Sequence, residues 1–202
     1  MNTSRVEAFS DGVFAIIITI MVLELQVPRE ATLAALVKLA PVFLSYVLSF
    51  LVVAIMWVNH HHLLYAAKRA DARLLWSNNV LLFWLSLIPF ATRYMGVNST
   101  VPFAVALYGA DLASCAFAFT WLRYCVNLHH LADEELSAYN RGKLRKSAYS
   151  ATLYASSVPL AYVSVYLSFI IFVLIPVLYF LPERKLAERA IEKRDHPADP
   201  IA

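Results

Sequence analysis

Long apolar runs constrain the fold of this chain more than any other feature. Most are close to the ~20 residues that a helix needs to cross the hydrocarbon core of a bilayer. Of all residues, 60% are hydrophobic and 15% are charged, whereas soluble proteins carry about 25% charged residues. A chain this apolar cannot cover its surface with polar groups in water. The sequence therefore predicts an all-α integral membrane protein.

The predicted transmembrane helices follow these runs. The first four cover residues 6–25, 39–59, 74–94 and 101–124. The last run, 147–181, is too long for one crossing, because such a helix would reach about 50 Å against a core of ~30 Å. Pro159 removes a backbone donor, and residues 161–166 can hold a tight turn. We therefore predict two further spans, 147–162 and 166–181.

Six spans divide the chain into a transmembrane domain, 1–182, and a charged cytoplasmic tail, 183–202. With the N-terminus in the cytoplasm, every basic residue lies on the inner side except Arg29, Lys38 and Arg93. This asymmetry follows the positive-inside rule. We therefore predict a multi-pass protein of the cell membrane with both termini cytoplasmic. The net charge of +3 does not indicate a nucleic-acid partner.

The sequence gives little support for catalysis. It contains no nucleophile motif, no phosphate-binding glycine loop and no HExxH motif. The consecutive residues His60, His61 and His62 point to different faces of a helix, so they cannot all bind one ion. Cys115 and Cys125 are too far apart along one helix for a disulfide. We predict no catalytic residue, no metal site and no cofactor.

Three acids lie within predicted spans, where an ionisable group costs roughly 2.5–3.5 kcal/mol at the helix centre. Asp11 is either a first-turn acid favoured by the helix dipole or part of a buried network with Ser10. Partners at the same inner depth are Trp57, His60 and Asn78 or Asn79. Glu24 ends the first span, where it can concentrate cations at an outer mouth. Asp111 lies deep enough to need a partner, and its role stays open.

An aliphatic stripe follows one face of the first span. Ile16, Thr19, Ile20 and Leu23 stand at helical spacing i, i+3, i+4 and i+7. Periodicity alone favours a lipid-facing or packing face. In that case the Thr19 hydroxyl would bond a carbonyl one turn earlier.

The start of this span resembles a known signature. Residues 5–12, Arg-Val-Glu-Ala-Phe-Ser-Asp-Gly, resemble the Arg-x-x-x-Phe-Ser-Asp motif of prokaryotic members of the transmembrane protein 175 family. This is the family of the endosomal and lysosomal potassium channel. The order Leu-Glu-Leu followed by Val-Pro at the end of the span also fits, as do Trp57 with His60 and the paired asparagines. The resemblance extends in layout over the whole chain.

The resemblance implies a six-helix subunit that lacks the pore-loop filter of ordinary potassium channels. Four subunits would form a homotetramer, with the first helices lining a potassium-selective, leak-type pore. Rings of Ile16, Ile20 and Leu23 would gate by dewetting, and the Thr19 ring would supply oxygens to a partly dehydrated K⁺. The implied partners are further copies of the chain, K⁺ and the bilayer. The network fixing the pore helix would comprise Arg5, Phe9, Ser10, Asp11, Trp57, His60, Asn78 and Asn79.

Two other classes of protein remain open. A proton-coupled secondary transporter or a proton leak pathway would use Asp11, Asp111 and His60 as a relay. The spans lack the paired Gly/Pro interruptions that are typical of carrier sites. An intramembrane enzyme would use the histidines with a metal ion.

Overall fold

Helices account for nearly all of the chain that the computed structural model describes, which is residues 3–65, 67, 70–128 and 134–180, without the side chains of 134–140 and 180. Within these residues no strand occurs, so the predicted all-α fold is confirmed. The helices are α1 Thr3–Leu23, α2 Leu33–Lys38, α3 Ala40–Tyr65, α4 Ala72–Val97, α5 Pro102–Asn127, α6 Glu134–Val163 and α7 Val165–Phe180.

The lengths and compositions of the helices match a membrane protein. Among the described residues, α1, α3, α4 and α5 are each long and apolar enough to cross a bilayer. Helix α7 is apolar but shorter, and α6 joins a polar first half to an apolar second half. A multi-pass membrane protein is therefore confirmed, while the count of six spans stays a prediction.

The helix packing leaves α1 at the edge of the bundle. Helix α5 packs along α4 and α6, and α7 contacts α3, α5 and α6. Helix α1 packs mainly against α3 and α4. The centre of the bundle is fully buried and apolar, with Leu74, Leu85, Ile88, Tyr108 and Leu112 among its members. One face of α1 completes this core, and its other face is left open.

Two helical segments extend beyond the predicted spans. Helix α5 continues to Asn127 and α6 begins at Glu134, so much of the stretch between the predicted spans 101–124 and 147–162 is helical. Glu, Leu, Ala, Lys and Arg favour helix whatever their polarity, whereas hydropathy detects only the membrane-embedded part. The short helix α2 was not predicted. The Thr32 hydroxyl oxygen caps it by accepting from the backbone N–H of Ala35 at 3.2 Å.

Helices α6 and α7 form an antiparallel pair that reverses at Ser164, inside the segment 161–166. Helix α6 continues through Pro159 and ends at Val163. Deeper in the pair, the Ser168 hydroxyl donates to the carbonyl oxygen of Ser157 at 2.7 Å. The predicted tail, 183–202, lies outside the described residues.

Candidate functional site

Helix α1 has two distinct faces. The buried face carries side chains at spacings of three or four residues, namely Val6, Ser10, Phe14, Ile17 and Met21. The opposite face carries the predicted stripe, in which Ile16 is 58% exposed, Ile20 41% and Leu23 78%. The stripe therefore points away from the core of its own subunit and is available to line a pathway or to contact another molecule.

Thr19 lies on this exposed face. Its hydroxyl donates a hydrogen bond to the carbonyl oxygen of Ile16 at 2.8 Å, which is the local bond expected of a helical threonine. Donation uses the hydroxyl hydrogen, but the oxygen retains lone pairs that can accept or coordinate. The local bond and a contact with a cation are therefore compatible.

A buried chain of hydrogen bonds joins the inner half of α1 to α3 and α4. His60 Nε2 lies 2.8 Å from Asn78 Oδ1, Asn78 Nδ2 donates to Ser10 Oγ at 3.0 Å, and Ser10 donates to the Val6 carbonyl at 2.8 Å. The tautomer of His60 that fits this order carries its proton on Nε2. Three helices are thus tied together through one amide.

A second set of contacts lies beside this chain, closer to the surface. The indole Nε1–H of Trp57 donates to Asp11 Oδ1 at 2.8 Å, and His61 Nδ1 lies 2.7 Å from Glu7 Oε1. On each helix the two residues are four apart, so both pairs lie along one contact line. The structure therefore brings together the predicted residues Ser10, Asp11, Trp57, His60 and Asn78.

The outer end of α1 is also fixed. Arg93 of α4 donates from Nη1 to the backbone carbonyl oxygen of Glu24 at 2.8 Å. This bond satisfies a carbonyl just past the end of α1, where no intrahelical donor remains. The Glu24 side chain itself is exposed. Helix α1 is held at both ends, while its stripe stays uncovered.

Some residues predicted for the network lie outside it. Arg5, Phe9 and Asn79 are exposed. Adjacent residues of a helix are rotated by about 100°, so only one of the two asparagines can face α1, and that residue is Asn78. Phe9 is 61% exposed on the same side of α1 as Ile16.

Asp111 does not join this cluster either. Its side chain is 7% exposed, and among the described residues neither carboxyl oxygen has a hydrogen-bond partner. Within the described residues, hydrogen bonds therefore do not connect Asp111 to Asp11 and His60, the relay that a proton-coupled transporter would use. Of the three consecutive histidines, only His60 is buried in the network. His61 contacts Glu7, and the exposed ring of His62 lies edge-on to that of His61, with centroids 5.6 Å apart.

Sequence reasoning missed several members of the site. Glu7 and His61 could have been found from their spacing, because each lies four residues from a predicted partner, Asp11 and Trp57 respectively. Phe14, whose ring centroid is 5.4 Å from that of His60, follows from the periodicity of the buried face. The contact of Arg93 had no sequence signal, since it involves only the backbone of Glu24.

Comparison with known proteins places these helices in a family. Residues 5–89 match the family model described as the endosomal/lysosomal potassium channel TMEM175, and this region contains the residues of the network. A protein of Chryseobacterium sp. (strain P1-3), named as a potassium channel, is 38% identical over 186 residues, which are 92% of this chain and 96% of that protein.

A solved structure agrees in fold. The crystal structure of a lysosomal potassium-selective channel TMEM175 homolog from Chamaesiphon minutus superposes with a TM-score of 0.79 at 29% identity, covering 89% of this chain and 96% of the other. The human endosomal/lysosomal proton channel TMEM175 is 33% identical over 114 residues, which are 50% of this chain and 23% of that protein. The chain is therefore a prokaryotic member of the transmembrane protein 175 family.

Proposed function

We propose that this protein is a potassium-selective channel of the cell membrane, with a pore lined by α1 from four identical subunits. The observation that carries the proposal is the exposed stripe of Ile16, Thr19, Ile20 and Leu23 on a helix whose other face is fixed to its own subunit. A single subunit has one such stripe and cannot surround an ion with it. The names of the bacterial relatives as potassium channels support the same function.

In this proposal the stripe both gates and selects. Rings of Ile16, Ile20 and Leu23 form apolar constrictions that expel water when narrow. The Thr19 ring supplies hydroxyl oxygens to a K⁺ that has lost part of its hydration shell. Potassium holds its water less tightly than sodium, so partial replacement by oxygens favours it. Glu24, just beyond the stripe, attracts cations to the outer mouth.

The topology and composition of the channel belong to the proposal as well. We infer six spans per subunit, no pore-loop filter, both termini in the cytoplasm, and no cofactor besides the permeant ion. The bilayer is the working environment, and no catalytic step is needed. The absence of a filter leaves α1 as the proposed site of selectivity.

The test is reconstitution of the purified protein in bilayers with opposed potassium and sodium gradients. A reversal potential near that of potassium is expected for the wild type. Thr19→Val is nearly isosteric but lacks the oxygen, so it should lower the potassium-over-sodium permeability ratio. Thr19→Ser keeps the oxygen and should largely preserve that ratio.

An identical reversal potential in wild type and Thr19→Val would contradict the assignment of selectivity to Thr19. The hydroxyl would then serve only its bond to the Ile16 carbonyl, and selectivity would have to be sought at Glu24. Native mass measurement in mild detergent tests the assembly separately. Monomers or dimers alone would rule out a pore built from four copies of α1.

Proton permeation is a second candidate, because the vertebrate relatives that match half of this chain are named as proton channels. The buried hydrogen-bond chain of His60, Asn78 and Ser10 contains one imidazole, which can bind and release a proton. A pH gradient across reconstituted vesicles distinguishes the two. Proton flux that persists without potassium current would favour the second candidate.

A further inference from the structure

A groove of about 370 Å³ opens between α6 and α7, away from α1. It lies at the end of the pair where α6 carries its basic residues and α7 approaches its C-terminus. Its lining includes the basic residues Arg145 and Lys146 and the apolar residues Leu153 and Leu178. Tyr149 and Tyr179 also line it. None of these residues belongs to the site on α1.

The groove is graded in polarity along α6. Lys146 and Leu153 are seven residues apart, which is about 10 Å along a helix. The two basic residues therefore lie where the chain enters the predicted span 147–162, and Leu153 lies within that span. Tyr149 lies between Lys146 and Leu153 on α6, and Tyr179 of α7 contacts Lys146. At this level aromatic side chains favour the membrane interface. By the predicted spans, the basic side chains of the groove lie at the headgroup level and Leu153 lies toward the hydrocarbon.

Contacts within the groove hold its charged end in place. The ammonium group of Lys146 lies 4.6 Å from the centre of the Tyr179 ring, within the range of a cation–π contact. The hydroxyl of Tyr179 is 3.3 Å from Ser150 Oγ, which links the ring to α6. The cation is therefore positioned by the walls of the groove itself.

From this arrangement we propose that the groove binds an anionic phospholipid. The phosphate accepts hydrogen bonds from the Arg145 guanidinium and the Lys146 ammonium, and one acyl chain lies along Leu153 and Leu178. Basic pockets between membrane helices attract anionic headgroups because cation and phosphate are paired at low dielectric. A free phosphate would leave the apolar lining unused, and the choline cation of a zwitterionic lipid would be repelled by two basic side chains.

The proposal goes beyond ion conduction and does not depend on it. Its readout is lipid binding, so it can fail while the channel function stands, and the reverse also holds. The probes are phosphatidylglycerol and phosphatidylcholine with the same acyl chains, each titrated onto the detergent-solubilised protein and followed by native mass spectrometry. We expect phosphatidylglycerol to bind with a clear preference.

The test variant is Arg145→Gln combined with Lys146→Gln. Each basic side chain near a membrane surface is worth about fivefold in affinity, so the double change should weaken phosphatidylglycerol binding roughly 30-fold. The matched control is Arg141→Gln combined with Lys143→Gln. It removes the same charge from the same helix at residues that do not line the groove, and it should retain the preference.

Several outcomes would overturn the proposal. Equal loss in the test and control variants would reduce the effect to general surface charge. Competition by inorganic phosphate at the same concentration as the lipid would show a site for the free anion. A change of oligomeric mass in the test variant would make the groove a contact between subunits. If the test variant does not fold, equal affinity of the wild type for the two lipids is sufficient to reject the site.

Discussion

The side-chain amide of Asn78 links α4 to both α1 and α3. It accepts from His60 on α3 and donates to Ser10 on α1, and it is itself on α4. Ser10 and His60 are fully buried, so neither can turn to water if the amide is lost. One residue therefore satisfies polar groups on two other helices.

We predict that Asn78→Ala destabilises the protein by about 1–3 kcal/mol, because a buried donor and a buried acceptor lose their partners. Hydrogen bonds between membrane helices average about 0.6 kcal/mol, so a loss at the lower end of this range would still agree. Asn79→Ala is the control, since Asn79 is exposed and should change stability by less than about 0.5 kcal/mol. Thermal unfolding in detergent measures both, and equal shifts would contradict the role of Asn78.

Asp111 contrasts with Asn78, because its carboxyl group is buried without a hydrogen-bond partner in the described residues. A carboxyl group in that position contributes no pairing energy to the fold. We predict that Asp111→Asn leaves the thermal stability unchanged or raises it. For comparison, Asp71 accepts from the backbone N–H of Leu74 at 2.9 Å as the cap of α4, and Asp71→Ala should cost about 1 kcal/mol.

A clear loss of stability in Asp111→Asn would reveal a partner for this carboxyl group, either water or a neighbouring subunit. Unchanged stability with altered ion flux would instead assign Asp111 a role in transport. The two measurements together separate a structural acid from a functional one, which sequence reasoning left open.

At the scale of whole helices, the close approach of α5 to α6 and α7 is set by a glycine. A methyl group at Gly109 would collide with the Ser157 hydroxyl and lie 3.3 Å from the Phe172 ring. Tyr108 beside it packs edge-on against that ring, with centroids 5.0 Å apart. Small residues allow membrane helices to approach in this way.

We predict that Gly109→Ala destabilises the protein by about 1–3 kcal/mol through overpacking. Gly142→Ala is the matched control, because a methyl group there meets nothing within 4 Å. It should stabilise α6 by about 0.5–1 kcal/mol, since alanine loses less backbone freedom than glycine in a helix. Unfolding of both variants in the same detergent compares them. An unchanged Gly109→Ala would mean that the Ser157 hydroxyl can rotate away, or α6 can move, at little cost.

The sequence predicts some features of these helices and not others, because hydropathy, helix propensity and tertiary packing each determine different features. The first four apolar runs predict the helices α1, α3, α4 and α5, because membrane insertion requires continuous apolar length. The N-terminal half of α6 was missed because its helicity comes from propensity and not from hydropathy. Asn78 could not be chosen over Asn79 until the rotation of α4 about its axis was known. The contact of Arg93 with a backbone carbonyl has no signal in any residue pattern.

At the scale of the whole molecule, α1 exposes an apolar face that its own subunit leaves uncovered. Phe9, Ile16, Ile20 and Leu23 form an apolar strip on an edge helix. Lipid could cover such a strip, but the opposite face is fixed by hydrogen bonds to α3 and α4 and at the outer end by Arg93. In the proposed tetramer, a helix held so firmly would keep four copies of the strip at a constant distance around an axis.

The proposed assembly predicts that single-channel conductance depends on Ile16, the innermost aliphatic residue of the stripe. In a tetrameric pore, Ile16→Asn replaces an apolar ring by a hydrated one, so the ring no longer expels water and single-channel conductance should rise. The matched control is Ile170→Asn on α7. Ile170 is 59% exposed and Ile16 is 58% exposed, so the same chemical change is made at the same exposure on a helix outside the proposed pore.

Planar-bilayer recording should show increased current for Ile16→Asn alone. Increased current in both variants would indicate a general loosening of the bundle, whereas unchanged current in Ile16→Asn would move the constriction to Ile20 or Leu23.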